Sequence, residues 1–281
     1  MNILFALILF YIGAAIGSFL SVIIYRYRHN KKGVLFGRSM CPKCGTALAA
    51  IDLIPIFSFT ALRGRCRYCK KRIAPHYILI ELITGLIFTL LYWKIQFISF
   101  DETAPFLTFS WMKFLIYLYA GVESAILIGV FFYDLLYKEI PNIFTYPGIG
   151  LAVSEAIIAH VLHFSNQEAL FPSLNEIFYG LLIAFALFEG QRFLSKGKWI
   201  GLGDSILAYL MAILLGWKFL LIAIFAAYAM GTIVGLSLIV ARKATMRSAI
   251  PFGPFLATGV FLAIFFGDAL ISFYTNYAAI F

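Results

Sequence analysis

Long apolar runs separated by short polar segments dominate this chain. Apolar stretches recur at about 3–24, 77–98, 114–133, 143–163, 176–191, 203–216, 219–241 and 254–276. Most are near 20 residues, the length that crosses a hydrocarbon core of about 30 Å. The pattern predicts an all-α membrane protein with about eight transmembrane helices, the sixth short and entered through the glycines at 201–203. It divides the chain into a first transmembrane helix at 1–24, a polar loop at 25–76, and a membrane core of about seven helices at 77–281. The first run begins at Asn2 with no basic residue ahead of it and Arg26 and Arg28 behind it. It therefore reads as a retained span with its N-terminus outside rather than as a cleaved signal peptide.

Charge fixes the sidedness of that pattern. Between Tyr25 and His76 stand twelve Lys or Arg against Asp52 alone, in a chain whose formal charge is +9. One loop thus holds the whole excess, and the positive-inside rule places it in the cytoplasm, against anionic lipid headgroups. The other inner segments, 134–142, 192–202 and 242–253, carry Lys138, Arg192, Lys196, Lys198, Arg242, Lys243 and Arg247. Asp101, Glu102, the polar stretch at 163–175 and the Gly216–Lys218 turn fall outside. Only 12% of residues are charged and 63% are hydrophobic, about half the charged share of a soluble domain. With the basic excess explained by topology and no recognition fold visible, a nucleic-acid partner is excluded.

The basic loop also holds all four cysteines, as Cys41-Pro-Lys-Cys44 and Cys66-Arg-Tyr-Cys69. Two C-x-x-C pairs with 21 residues between them read as a closed tetrathiolate zinc site, with Zn–S bonds of about 2.3 Å and no position left for substrate. A cytoplasmic loop disfavours disulfides. The loop has little apolar surface to bury, so a bound Zn2+ supplies its folding energy and performs no chemistry.

Two acidic residues at the ends of apolar runs carry the candidate chemistry: Asp134 in YDLLYKEIPN and Asp204 in GLGD. A carboxylate at membrane depth costs about 2.5 to 3.5 kcal/mol on insertion scales, so such residues mark function. Both fall near the cytoplasmic boundary, where they can meet. Aspartic proteolysis needs such a pair, one carboxyl taking a proton from water while the other gives one to the scissile carbonyl. Gly201 and Gly203 clear space beside Asp204, and Pro141 is placed to open the fourth helix.

These residues, in this order, resemble the type IV prepilin peptidases, the bifunctional leader peptidases and N-methyltransferases of the GxGD aspartic protease group. The resemblance runs from GSFLSVIIYR at 17–26 through CPKC, DLIP at 52–55, LRGRCRYC, IELITG at 80–85 and DLLYKEIPN to GLGD and IPFGPFLATG at 250–259. It implies a bacterial inner-membrane enzyme, with Asp134 and Asp204 as its catalytic pair. Its partners are prepilin or pseudopilin substrates of a pilus or type II secretion machinery, whose basic leaders it cuts on the cytoplasmic side, after Gly and before a residue that is often Phe. It further implies methylation of the new N-terminal amine with S-adenosylmethionine, to which Glu81 and Gly85 are assigned. The chain departs from the family pattern at Ile206, where Lys is expected, at Ser21, where Asn is usual, and in a longer basic segment at 26–40.

Other acids within the predicted spans are Glu123, Glu155, Glu189 and Asp268. Glu123 lies about 16 Å up the helix from Asp134 and reads as a protonated carboxyl bonded between helices. His160 and His163 have no third metal ligand in view. Two rivals to the peptidase reading are an ion-coupled transporter using the membrane acids as a relay and an inactive zinc-knuckle assembly factor. The first calls for symmetric halves, and no internal repeat is present. The second requires that both aspartates tolerate replacement.

Overall fold

A computed structural model describes residues 2–29, 33–35, 37–100, 107–161, 172–245 and 248–278. It divides into two compact units, Met1–Gly129 and Val130–Phe281. The helices are α1 (Asn2–Arg28), α2 (Phe57–Ala61), α3 (His76–Ile95), α4 (Trp111–Tyr137), α5 (Asn142–Val161), α6 (Leu174–Ala184), α7 (Gly190–Ser195), α8 (Leu202–Val240) and α9 (Gly253–Ala278). The boundary between the units falls inside α4.

Among the described residues, seven helical stretches are long and apolar enough to cross a membrane. The expected sixth and seventh runs form one of them, because α8 continues through both. At 1.5 Å per residue its 39 residues measure about 58 Å, about twice the hydrocarbon thickness. It is divided at Gly216, whose φ of +63° and ψ of 175° belong to a region open almost only to glycine. A Cβ there would lie 2.8 Å from Pro172 Cβ and 3.0 Å from Glu176 Cβ. Glu176 also caps α6 reciprocally with Ser173 and pairs with Lys218 at 3.0 Å, which ties the Gly216 break to the start of α6. The expected turn at 216–218 therefore exists as a broken helix.

In the first unit α1 packs along α3. A Cβ on Gly13 would meet Phe88 Cβ at 2.8 Å, one on Gly17 would meet Glu81 Cα at 2.9 Å, and one on Gly85 would meet the Phe10 carbonyl at 2.8 Å. Gly13 and Gly17 form a G-x-x-x-G face, which lets two helix backbones approach where no hydrophobic effect drives them together. After α3 a short antiparallel hairpin, β1 (Ile98–Phe100) and β2 (Leu107–Phe109), leads into α4. Phe97, Phe109, Phe114 and Tyr117 pack edge-on or tilted around its base, a small β element that the apolar pattern did not predict. Asp101 and Glu102 lie outside the described residues.

In the second unit α8 packs on α6 and α9. Gly259 and Gly267 of α9 each lie where a Cβ would collide with α8, at Ala223 and Phe219 respectively. Between α6 and α7 the backbone widens into a π-helical turn at Phe185–Glu189. Its last residue, Glu189, pairs with Arg192 at 3.5 Å.

Candidate active site and metal centre

The two cysteine pairs fold alike. After each first cysteine the chain turns back on itself: Gly45 N donates to Cys41 O at 2.9 Å and Lys70 N to Cys66 O at 3.0 Å. The turns close on matched bridges, Met40 to Ala47 and Arg65 to Arg72. Both need a left-handed residue at the same place, supplied by Gly45 at φ +71° and by Lys70 at φ +57°. The four sulfur atoms lie within 4.8 Å of one another. Four thiolates about 2.3 Å from a common ion stand just under 4 Å apart, so Cys41, Cys44, Cys66 and Cys69 fit Zn2+. Hydrogen bonds from Thr46 pull the Cys44 thiol down to about 6, while burial pushes Cys41 up to about 11. Ionising all four together requires a cation among them. Among the described residues this is the one group of three or more His, Cys, Asp or Glu placed to hold a metal. His163 lies outside them.

Asp52 links the second knuckle to the 3-10 turn Ala50–Leu53. It accepts from Arg67 Nε at 2.6 Å, Tyr68 Oη at 3.2 Å and Ala49 N at 3.2 Å. Desolvation opposes its ionisation, and the Arg67 guanidinium with the Ala49 amide outweighs that, holding the carboxyl below the usual range.

Beside the knuckles, between α1 and α3, is a cavity of about 510 Å³, within the range of small-molecule sites. Ser18, Ser21, Arg26, Asp52, Tyr77 and Glu81 are among its walls, as are Cys41 and Cys66. Gly17 creates this place by letting α1 sit on Glu81. Glu81 Oε2 accepts the Ile56 amide at 2.7 Å. Ile56 itself has φ +64° and ψ −50°, the rarer and strained form of γ-turn, in a β-branched residue that such a conformation disfavours. Gly85 is not among the lining residues. It is spent on the contact with Phe10, so the two residues assigned together to a cofactor are separated into one cavity wall and one packing position.

Asp134 stands in the last turn of α4, inside the helix rather than in the loop after it, and is 4% exposed. Asp204 is the third residue of α8, and its Oδ2 accepts the amide of Gly201 at 3.1 Å across the helix start. One carboxyl therefore sits at a helix C-terminus and the other at an N-terminus, in helix-end fields of opposite sign. Gly203 brings α8 against the segment after α4, since a Cβ on it would lie 2.8 Å from Ile140 Cβ. Asp134 Oδ2 accepts the buried amide of Gly253 at 2.9 Å, and a Cβ on Gly253 would lie 2.7 Å from that same oxygen.

Sequence reading missed three neighbours of this pair. Gly253 was visible only as part of IPFGPF. Tyr228 exchanges hydrogen bonds with Gln191 at 3.0 and 3.2 Å and packs at a tilt against Phe252, which precedes Gly253, with ring centroids 5.0 Å apart. Lys138 reaches Ala249 O at 3.1 Å. Nothing local in the sequence signals the last two. Of the other acids, Glu123 is buried in α4 and Glu189 is taken by Arg192.

Residues 11–95 match the family model described as Bacterial Peptidase A24 N-terminal domain, and residues 121–236 match the Type IV leader peptidase family. Relatives align with nearly the whole chain. A prepilin leader peptidase/N-methyltransferase of Bacillus subtilis (strain 168) is 30% identical, covering 96% of this chain and 98% of the relative. Proteins of the same name from Aeromonas salmonicida (strain A449) and Pseudomonas aeruginosa are 27% and 25% identical, over 96% and 98% of this chain and 93% and 94% of their own lengths. No solved structure matches the chain significantly.

Proposed function

Because this chain belongs to the type IV leader peptidase family, we propose that it is a membrane aspartic endopeptidase that removes the basic leader from prepilin-like proteins at the cytoplasmic face and then N-methylates the new terminus. What supports the first half is the placement of Asp134 at the end of α4 and Asp204 at the start of α8, with Gly203 seating that start against Ile140 in the segment just after α4. In the proposed reaction the ionised carboxyl takes a proton from water as its oxygen attacks the scissile carbonyl, and the protonated carboxyl gives its proton to the carbonyl oxygen. Collapse of the tetrahedral intermediate breaks the C–N bond: the carboxyl that took the water proton gives it to the departing amine, and one hydroxyl of the intermediate returns its proton to the other carboxyl. The Gly253 amide fixes the rotation of the Asp134 carboxyl during these proton transfers. Twelve basic residues in the 25–76 loop support the cytoplasmic orientation.

The second half rests on the cavity between α1 and α3. S-adenosylmethionine, when bound, supplies an activated methyl group. Glu81 and Asp52 offer acceptors for ammonium groups and Ser18 and Ser21 short hydroxyls, while Gly85 acts only by bringing the helices together. Cys41, Cys44, Cys66 and Cys69 would hold Zn2+ as a structural ion, which would support the cavity wall to which Cys41 and Cys66 belong and leave both transfers to other groups.

The test is direct. Purified protein incubated with a prepilin peptide, with and without S-adenosylmethionine, is expected to give the trimmed peptide in both cases and a product one methyl group heavier only with the methyl donor. Uncut peptide rejects the peptidase reading, and a trimmed but never methylated product rejects the second half. Glu81→Gln is expected to weaken binding of S-adenosylmethionine, measured by titration calorimetry, while leaving cleavage intact.

A further inference from the structure

We propose that Lys138 is a positioning residue for Asp134, clamping the segment that delivers the Gly253 amide. The inference rests on the peptidase reading for its consequence in catalysis, and on geometry alone for the clamp. Lys138 follows the last helical residue of α4 and adopts φ +57°, with its amide on the carbonyl of Asp134 at 2.8 Å. It is the fourth residue after Asp134, one turn further along the chain. Both side chains reach the segment that precedes α9. The Lys138 ammonium donates to Ala249 O at 3.1 Å, and the Asp134 carboxyl accepts from Gly253 N at 2.9 Å.

The segment is thus pinned at its two ends by residues one helical turn apart. Between the pins lies Pro251, whose ring fixes φ and stiffens the span. Without the first pin, Ala249 has no side chain with which to hold α4, and the Gly253 amide depends on one buried bond. That bond sets the rotation of the Asp134 carboxyl, and a reacting group displaced by about 1 Å loses up to about a hundredfold in rate.

Two variants and two readouts test the clamp. Lys138→Met keeps the length of the side chain and removes the donor; Lys138→Arg keeps a donor. Hydrogen exchange followed by mass spectrometry is expected to show faster exchange across 250–256 in Lys138→Met and near-native exchange in Lys138→Arg, whatever the protein does to peptides. On a prepilin peptide, Lys138→Met is expected to lower kcat about tenfold with KM within about twofold, and Lys138→Arg to recover most of it. Unchanged exchange in Lys138→Met overturns the clamp, as does an unchanged kcat in an active enzyme or a loss that Arg fails to restore. If the unaltered protein cuts no peptide, the peptidase reading falls, and the exchange measurement still decides whether the clamp exists.

Discussion

Asp134 and Asp204 are surrounded by glycines because the carboxyls are addressed by backbone. Asp134 takes its amide from Gly253 and Asp204 from Gly201, and a side chain at 253 would occupy the space of the carboxyl itself. Asp134→Asn and Asp204→Asn are each expected to lower cleavage by at least about a hundredfold with the circular dichroism of the helices unchanged. Gly253→Ala is expected to impair cleavage too, since its methyl must displace Asp134 Oδ2. A peptide-cleavage assay separates these outcomes from loss of protein. At this scale the acids were legible, because a carboxylate in an apolar run is expensive enough to be conspicuous. Their partner was not, since Gly253 lies 119 residues from Asp134 and donates a group that every residue but proline possesses.

Helix limits followed from apolar runs to within a few residues, with α1 continuing four residues past its expected end at 24. The break in α8 shows why length alone misleads. Apolar sequence continues on both sides of Gly216, so the division is carried by one residue whose conformation excludes a Cβ. Gly216→Ala is expected to destabilise the protein by about 1 to 3 kcal/mol, read as a lower midpoint in a thermal or denaturant melt. The knuckles were legible for the opposite reason: their spacing is dictated by a metal's coordination geometry rather than by surroundings. Cys41→Ser or Cys66→Ser is expected to reduce zinc from about one per chain to nearly none by elemental analysis, with faster proteolysis of the loop.

At the scale of the whole molecule, the proposed orientation rests on the concentration of basic residues in one loop. Trypsin added to inverted membrane vesicles is expected to cut within 25–76, and trypsin added to the outer face of right-side-out vesicles to leave that loop intact. The expected division at 24 and 76 followed hydropathy, whereas the compact units divide at 129. Hydropathy records where the chain leaves the membrane. Compactness records which helices pack, and α1 and α3 pack through Gly13, Gly17 and Gly85. What the sequence determined by itself was local: apolar length, charge asymmetry, cysteine spacing and the two acids, each set by the solvent or ion that a short segment must satisfy. Only tertiary packing decided that Glu81 faces a cavity while Gly85 does not, and that the Gly253 amide meets Asp134. Those outcomes depend on the approach of backbones far apart in the chain, which no local pattern encodes.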